Sequence, residues 1–151
     1  MMGHASLLDC PLCQTIGGVL LWQGPQFRVI DAADPAYPGF TRVVWTAHVV
    51  EMTDLSAPEQ LAMMRAVFLV ESVQRKILQP HKINLAAFGN VVPHLHWHII
   101  PRWEDDLHFP APVWAAAPQH DAPAQAALDA RKTAVASRLP AYHLALQQAL
   151  G

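Results

Sequence analysis

A chain of 151 residues falls in the size range of one domain, and its 52% hydrophobic content lets it bury a core without disulfides. Charged residues are only 15% and the net charge is -2, which argues against a broad electrostatic grip on DNA or RNA. No apolar run is long enough to span a bilayer.

The amino-terminal stretch MMGHASLLDCPLC has neither a basic start nor the apolar core of a signal peptide. It carries the only two cysteines, Cys10 and Cys13, spaced C-x-x-C. Without an export signal, such a pair reads as metal ligands or free thiols rather than a structural disulfide, and a cytoplasmic location is expected. C-x-x-C alone is half of a four-coordinate site. The low charge fraction and five tryptophans also fit surface hidden in an oligomer.

Residues 19–22 (VLLW) and 26–31 (QFRVID) read as two short strands around the turn dipeptide Gly24-Pro25. A loop over 34–39 (DPAYPG) leads into a β-branched strand from Thr41 to about Thr46. Ser56-Ala57-Pro58-Glu59 forms a capping box, with Pro58 tolerated in the first turn. The helix it opens runs to about Leu78, where Pro80 stops it. Its apolar set is Ala62, Ala66, Leu69, Val73 and Ile77, with Arg65, Gln74, Arg75 and Lys76 on the wet side.

Residues 82–88 and 94–100 read as two more strands, joined by a turn that contains Gly89 and Asn90. The proline-bearing stretch 104–121 is irregular. Asp121 then caps a helix to about Arg138, which Pro140 interrupts, and a short helix follows to Leu150. Strands, one long helix, more strands and a helical tail give an α+β fold with an antiparallel sheet. The expected organisation is one domain over 1–151, with a core at about 8–103 and a carboxy-terminal extension from 104.

The segment that carries chemistry is Pro93-His94-Leu95-His96-Trp97-His98-Ile99-Ile100-Pro101-Arg102. Side chains alternate faces along a strand, so His94, His96 and His98 share one face and Leu95, Trp97 and Ile99 the other. Buried imidazoles need partners for both ring nitrogens, so three in a row are costly as packing residues. Three readings are open on chemistry alone. The histidines are an exposed polar face, a zinc site built on H-x-H, or a set that supplies a nucleophile, a proton donor and a contact for phosphate.

The pattern H-φ-H-φ-H-φ-φ, with every φ apolar, is filled by His94 to Ile100 and resembles the motif of the histidine triad (HIT) family. Asn84, Gly89 and Asn90 before it are similar to that family's strand, turn and amide. Upstream, Asp31, the loop from Pro35 to Gly39, the strand from Arg42 to Trp45, and His48 resemble it as well. The likeness covers about residues 8 to 103.

It implies a HIT-like fold with a five-stranded antiparallel sheet, one long helix packed on it and a helical carboxy-terminal tail, and a homodimer. His96 is then the nucleophile at the α-phosphorus of a nucleotide, forming a covalent nucleotidyl-histidine that water resolves. His98 contacts phosphate and helps protonate the leaving group. Asn90 adds an amide hydrogen bond to the phosphate or the bridging atom, where the family commonly has Gln, and Asn84 orients the same group. Asp31 accepts bonds from the ribose hydroxyls, with Asp34 as competitor, or else forms an Asx turn beside Pro35.

Where many members end the third strand in I-P-K, this chain has Val44-Trp45-Thr46-Ala47-His48 and lacks that lysine. Trp45 reads as core, site wall or dimer contact. Some relatives complete a zinc site with residues matching His48 and His94, which here joins Cys10, Cys13, His48 and His94. Such a zinc is structural and is not required for the chemistry.

The implied activity is hydrolysis of nucleoside phosphoramidates or dinucleoside polyphosphates carrying adenine or another purine, with no nucleic-acid or membrane partner. The rivals are a metal-dependent hydrolase using the three histidines as zinc ligands, and a nucleotide-binding module without catalysis. His4, His81, His120 and His143 read as surface residues. His108 begins a segment to Trp114 that covers this site or a partner subunit's.

Overall fold

The structure is a computed structural model that describes residues 7–151. The reading of His4, and the first six residues of the stretch read for a signal peptide, lie outside the described residues. A one-turn helix α1 (Pro11–Gln14) precedes strands β1 (Val19–Gln23), β2 (Phe27–Asp31) and β3 (Thr41–Trp45). A 3-10 turn (Met52–Asp54) leads to the long helix α2 (Ala57–Ile77), then β4 (Lys82–Ala86) and β5 (His96–Arg102). Helices α3 (Ala122–Ala136) and α4 (Leu139–Leu150) close the chain. The strands form one antiparallel sheet in the order β1-β2-β3-β5-β4, which is the expected architecture. Among the described residues no helix is long and apolar enough to cross a membrane.

Register decides which side chains share a face, because residues paired across strands point the same way. Ile30, Arg42, His98 and Ala86 are linked by successive pairings, and Val44 pairs with His96. These residues define one face. Asp31, Thr41, Ile99 and Leu85 define the other, together with Val29, Val43 and Trp97. That second face carries the main core, where Val29, Val43 and Ile99 pack with Met63, Val67 and Val70 of α2 and Tyr142 and Leu146 of α4. The carboxy-terminal tail is therefore half of the helical layer and not an appendage.

Helix α2 starts as expected, with Ser56 accepting a bond from the Glu59 N–H and Glu59 reaching back to the Ser56 N–H. Its buried stripe differs from the expected one. It consists of Met63, Ala66, Val67, Val70, Val73 and Gln74, while Ala62, Leu69 and Ile77 lie at the margins. Gln74, expected on the wet side, is fully buried. Its Nε2 donates to the carbonyls of Gly39 (3.1 Å) and Ile99 (2.9 Å), so the helix reads as polar where it binds strand backbone.

Strand β5 also differs. It begins at His96, because the ladder to β3 ends at the Val44–His96 pair. The backbone of Leu95 bonds to Trp45, the last residue of β3, and to Val49 beyond it. His94 thus lies just outside the strand.

Replacing Gln74 by Leu removes a donor from two buried carbonyls. The expected loss of stability is about 1–3 kcal/mol, read as a lower urea midpoint with an unchanged slope.

Candidate active site

The face of the sheet opposite the helices carries a cavity of about 510 Å³. His96, His98 and Arg42 form its floor, Asn90 and Phe88 stand at one rim with Trp114, and Pro11, Leu12 and Thr15 stand at another. The strand alternation of β5 places His96 and His98 here and Trp97 behind. Arg42 arrives by register, being paired with His98 across the β3–β5 ladder.

The hydrogen bonds fix the protons on both rings. His96 Nδ1 lies 2.5 Å from the His94 carbonyl, which can only accept, so Nδ1 carries the proton and Nε2 keeps its lone pair. His98 Nδ1 accepts from Arg42 Nε at 3.2 Å, so a neutral His98 carries its proton on Nε2. Burial, then the neighbouring His96 and Arg42, push the His98 imidazole down to about 3. Burial also lowers His96. The floor therefore presents an unprotonated nitrogen beside an N–H donor and a guanidinium. Two rings 4.8 Å apart, centre to centre, bring these groups within reach of one phosphate.

The other residues singled out in the sequence divide. Asn90 lines the cavity. Asn84 shares the histidine face, and its Oδ1 accepts from Arg102 Nη1 at 2.8 Å. Asp31 lies on the helix face and is not brought to the cavity. Its carboxylate accepts from the Ala33 N–H (2.7 Å) and meets His143 Nε2 of α4 at 2.9 Å. Burial pushes the Asp31 carboxyl up, but those two partners outweigh it and hold it below its usual range. His143, expected as an ordinary surface residue, is thus an anchor of α4. Asp34 caps the Ala36 N–H in the Asx turn beside Pro35. Trp45 is core.

The segment from His108 to Trp114 folds over this chain's own site. Arg102, paired with Asp106 at 2.7 Å, also donates to the Ala111 carbonyl. His108 is buried against the Tyr37 hydroxyl. Trp114 then sits 5.0 Å from the His98 ring and 4.6 Å from Phe88, centre to centre. The sequence reading missed Arg42 as a site residue. Its signal was a lone cation in a β-branched strand, and its partner 56 residues away emerges only from register.

Beside the cavity, Cys10, Cys13, His48 and His94 converge, with one donor atom of each within 4.8 Å of the others. Cys10 Sγ and Cys13 Sγ both lie 3.5 Å from His94 Nδ1, Cys13 Sγ is 3.3 Å from His48 Nδ1, and the two Nδ1 atoms are 3.2 Å apart. Bonds of about 2.0–2.3 Å in a tetrahedron set donors about 3.3–3.8 Å apart, so these side chains fit a zinc ion. The opposite nitrogen, His94 Nε2, donates to the Trp45 carbonyl at 2.6 Å, which leaves Nδ1 as the ligating atom. Arg28 holds the cysteine turn in place by donating to the carbonyls of Leu12, Thr15 and Ile16.

The HIT domain model matches residues 15–105. An AP-4-A phosphorylase of Mycobacterium tuberculosis is 32% identical over 98 residues, 61% of this chain and 50% of that protein. The chain thus spans about half the length of the curated relatives it matches. A histidine triad protein from Bradyrhizobium japonicum is 28% identical, with a TM-score of 0.62 over 82% of this chain and 91% of that one. A zinc-bound histidine triad family protein from Mycobacterium smegmatis shares the fold, with 19% identity and a TM-score of 0.55 over 89% of this chain and 98% of that one.

Because His98 in the fold takes a proton only near pH 3, the unfolded chain, at about 6.5, binds it first on acidification. The contribution of this group is complete above pH 6.5 and declines as the pH falls toward 3. The expected result is a drop in urea midpoint between pH 6.5 and 4.5 that is smaller in His98→Gln.

Proposed function

The chain belongs to the HIT domain family, and on that premise we propose that it processes nucleotides at the α-phosphorus of dinucleoside polyphosphates or nucleoside phosphoramidates, through a covalent nucleotidyl-histidine on His96. The observation that carries this reading is the bond from His96 Nδ1 to the His94 carbonyl, which turns an unprotonated Nε2 toward a cavity floored by a donor and a cation.

In the first step the Nε2 lone pair forms the N–P bond. The bond from phosphorus to the leaving oxygen or nitrogen breaks, and its electron pair stays on the leaving atom. His98 Nε2–H is placed to donate a hydrogen bond to that atom, with Arg42 holding Nδ1 of the same ring; a polyphosphate departs as its anion, and an amine nitrogen takes its proton from solvent. The two remaining guanidinium nitrogens of Arg42 and the Asn90 amide face the charge that develops on the phosphate oxygens. The imidazolium formed on His96 keeps its Nδ1 proton against the His94 carbonyl. In the second step a water oxygen attacks phosphorus, the N–P electrons return to Nε2, and the proton shed by water passes to solvent. Asn84 acts at one remove through Arg102, and Asp31 secures α4 rather than a ribose.

The name of the mycobacterial relative supports a purine dinucleotide as substrate. It also supports a second reading of the last step, in which inorganic phosphate replaces water and the product is a nucleoside diphosphate. A catalytic zinc on all three histidines fits less well, since His94 turns its free nitrogen to the cysteines. In the proposed reading Cys10, Cys13, His48 and His94 hold a zinc ion that braces the start of β5 and supplies no step, and the zinc-bound neighbour supports it. A homodimer belongs to the same reading, and the edge strand β4 offers backbone for it.

The test is product release from diadenosine tetraphosphate and adenosine 5′-phosphoramidate, with and without inorganic phosphate. We expect His96→Ala to lose at least about 10³-fold in kcat and Arg42→Met about 10²-fold. AMP as product indicates water as acceptor, and ADP appearing only with phosphate indicates phosphorolysis. Full activity in His96→Ala would sink the mechanism, and AMP binding without turnover of either compound would leave a binding module.

Metal analysis of the purified protein should find about one zinc per chain, lost in Cys13→Ser together with part of the thermal stability. A Cys13→Ser protein that keeps its full metal content would refute the zinc assignment.

A further inference from the structure

Phe88 and Trp114 are large aromatic side chains of the cavity, and both are about half exposed, at 56% and 49%. No step above uses them. Their rings meet edge to face at 4.6 Å, and Trp114 meets His98 in the same way at 5.0 Å. They are not a loose flap. Val113 packs among Tyr37, Phe40 and Ile100, the Ala111 carbonyl is held by Arg102, and the Ala115 N–H bonds the Pro112 carbonyl. On the other side of the pair, in the turn after β4, Gly89 turns the chain at φ +67°, a conformation that L side chains rarely adopt, and so fixes where Phe88 ends and Asn90 begins.

The cavity has two unlike lobes. One is bounded by the turn after Cys10, where Leu12 packs with Ile30 and Val44 on the β2–β3 side. The other is the aromatic pair, on the β4 side, since Phe88 follows the strand whose Ala86 pairs with His98. The histidines lie between them. In an in-line displacement the attacking and leaving atoms lie on opposite sides of phosphorus. The leaving atom is therefore remote from His96 and next to His98, the ring that Trp114 abuts.

We propose that Phe88 and Trp114 form the subsite for the leaving group and take a flat heteroaromatic base, which makes a substrate with a second nucleoside beyond the cleaved bond the preferred class. This rests on the nucleotidyl-transfer reading above. Bases stack on aromatic faces whatever their hydrogen-bonding edge, so the subsite selects for a base and not for one particular base. Ammonia, the leaving group of adenosine 5′-phosphoramidate, has nothing to place there.

The experiment measures kcat/KM for diadenosine tetraphosphate and for adenosine 5′-phosphoramidate in wild type, Trp114→Ala and Trp114→Phe. The readout is the ratio of the two values. Loss of one stacking partner is expected to lower the ratio roughly 5- to 100-fold in Trp114→Ala, mainly through KM, with Trp114→Phe keeping most of it. A ratio unchanged in both variants overturns the proposal. So does an equal fall with both substrates, which would put the transferred nucleoside on the aromatic pair. Should wild type turn over neither compound, the function proposed above fails, and dissociation constants for diadenosine tetraphosphate and AMP decide this point instead. Tighter binding of the dinucleotide that Trp114→Ala erases supports the subsite, and equal affinities refute it.

Discussion

A neutral imidazole has two nitrogens and one proton, and at His94 that constraint organises everything around it. The Trp45 carbonyl accepts from Nε2, so the lone pair is on Nδ1, facing Cys10, Cys13 and His48. The same residue's backbone carbonyl takes the Nδ1 proton of His96. One residue therefore sets both the donor cluster and the tautomer of the proposed nucleophile. A slip of one position in β5 would send both assignments to the wrong face at once.

The packed side of the sheet guards that register. Gln74 reaches from α2 to the Ile99 carbonyl, on the backbone between the third and fourth apolar positions of the histidine run. Tyr142 of α4 bonds the Thr41 hydroxyl at 2.6 Å, opposite Ile99 on β3. Polar groups that sit inside an apolar layer discriminate strongly between registers, because the bonds they make form in only one of them. The open side is then free to carry uncommon residues. Arg42 can point its charge into a cavity because its strand is held from behind.

Much of this was legible in the sequence, for reasons that can be named. Alternating histidines, a capping box and a C-x-x-C turn are local patterns, and each appeared where its period or spacing placed it. The long helix and the five strands were found to within a residue or two. The differences arose where distant chain segments decide the outcome. Gln74 looked solvated because helical periodicity does not show that strand carbonyls wait behind it. Asp31 matched a family position, yet its carboxylate belongs to His143, 112 residues on. Arg42 and Trp114 joined the site only through strand pairing and through a loop tied down by the buried Arg102–Asp106 pair. His94 read as a member of the strand because alternation continues through it, whereas the ladder stops at His96.

The four converging donors come from segments far apart along the chain, with 84 residues between Cys10 and His94 and 35 between Cys13 and His48. An ion gripping all four would close loops in the unfolded ensemble as a cross-link does, a restriction worth about 4.5 kcal/mol for the longer one in the chain-entropy model. Its effect would fall on the disordered chain, far from any substrate. The turn that walls one lobe of the cavity would then be fastened to the strand that floors it before a ligand arrives. The shape of the pocket would thus follow from topology, and binding would have little ordering left to do.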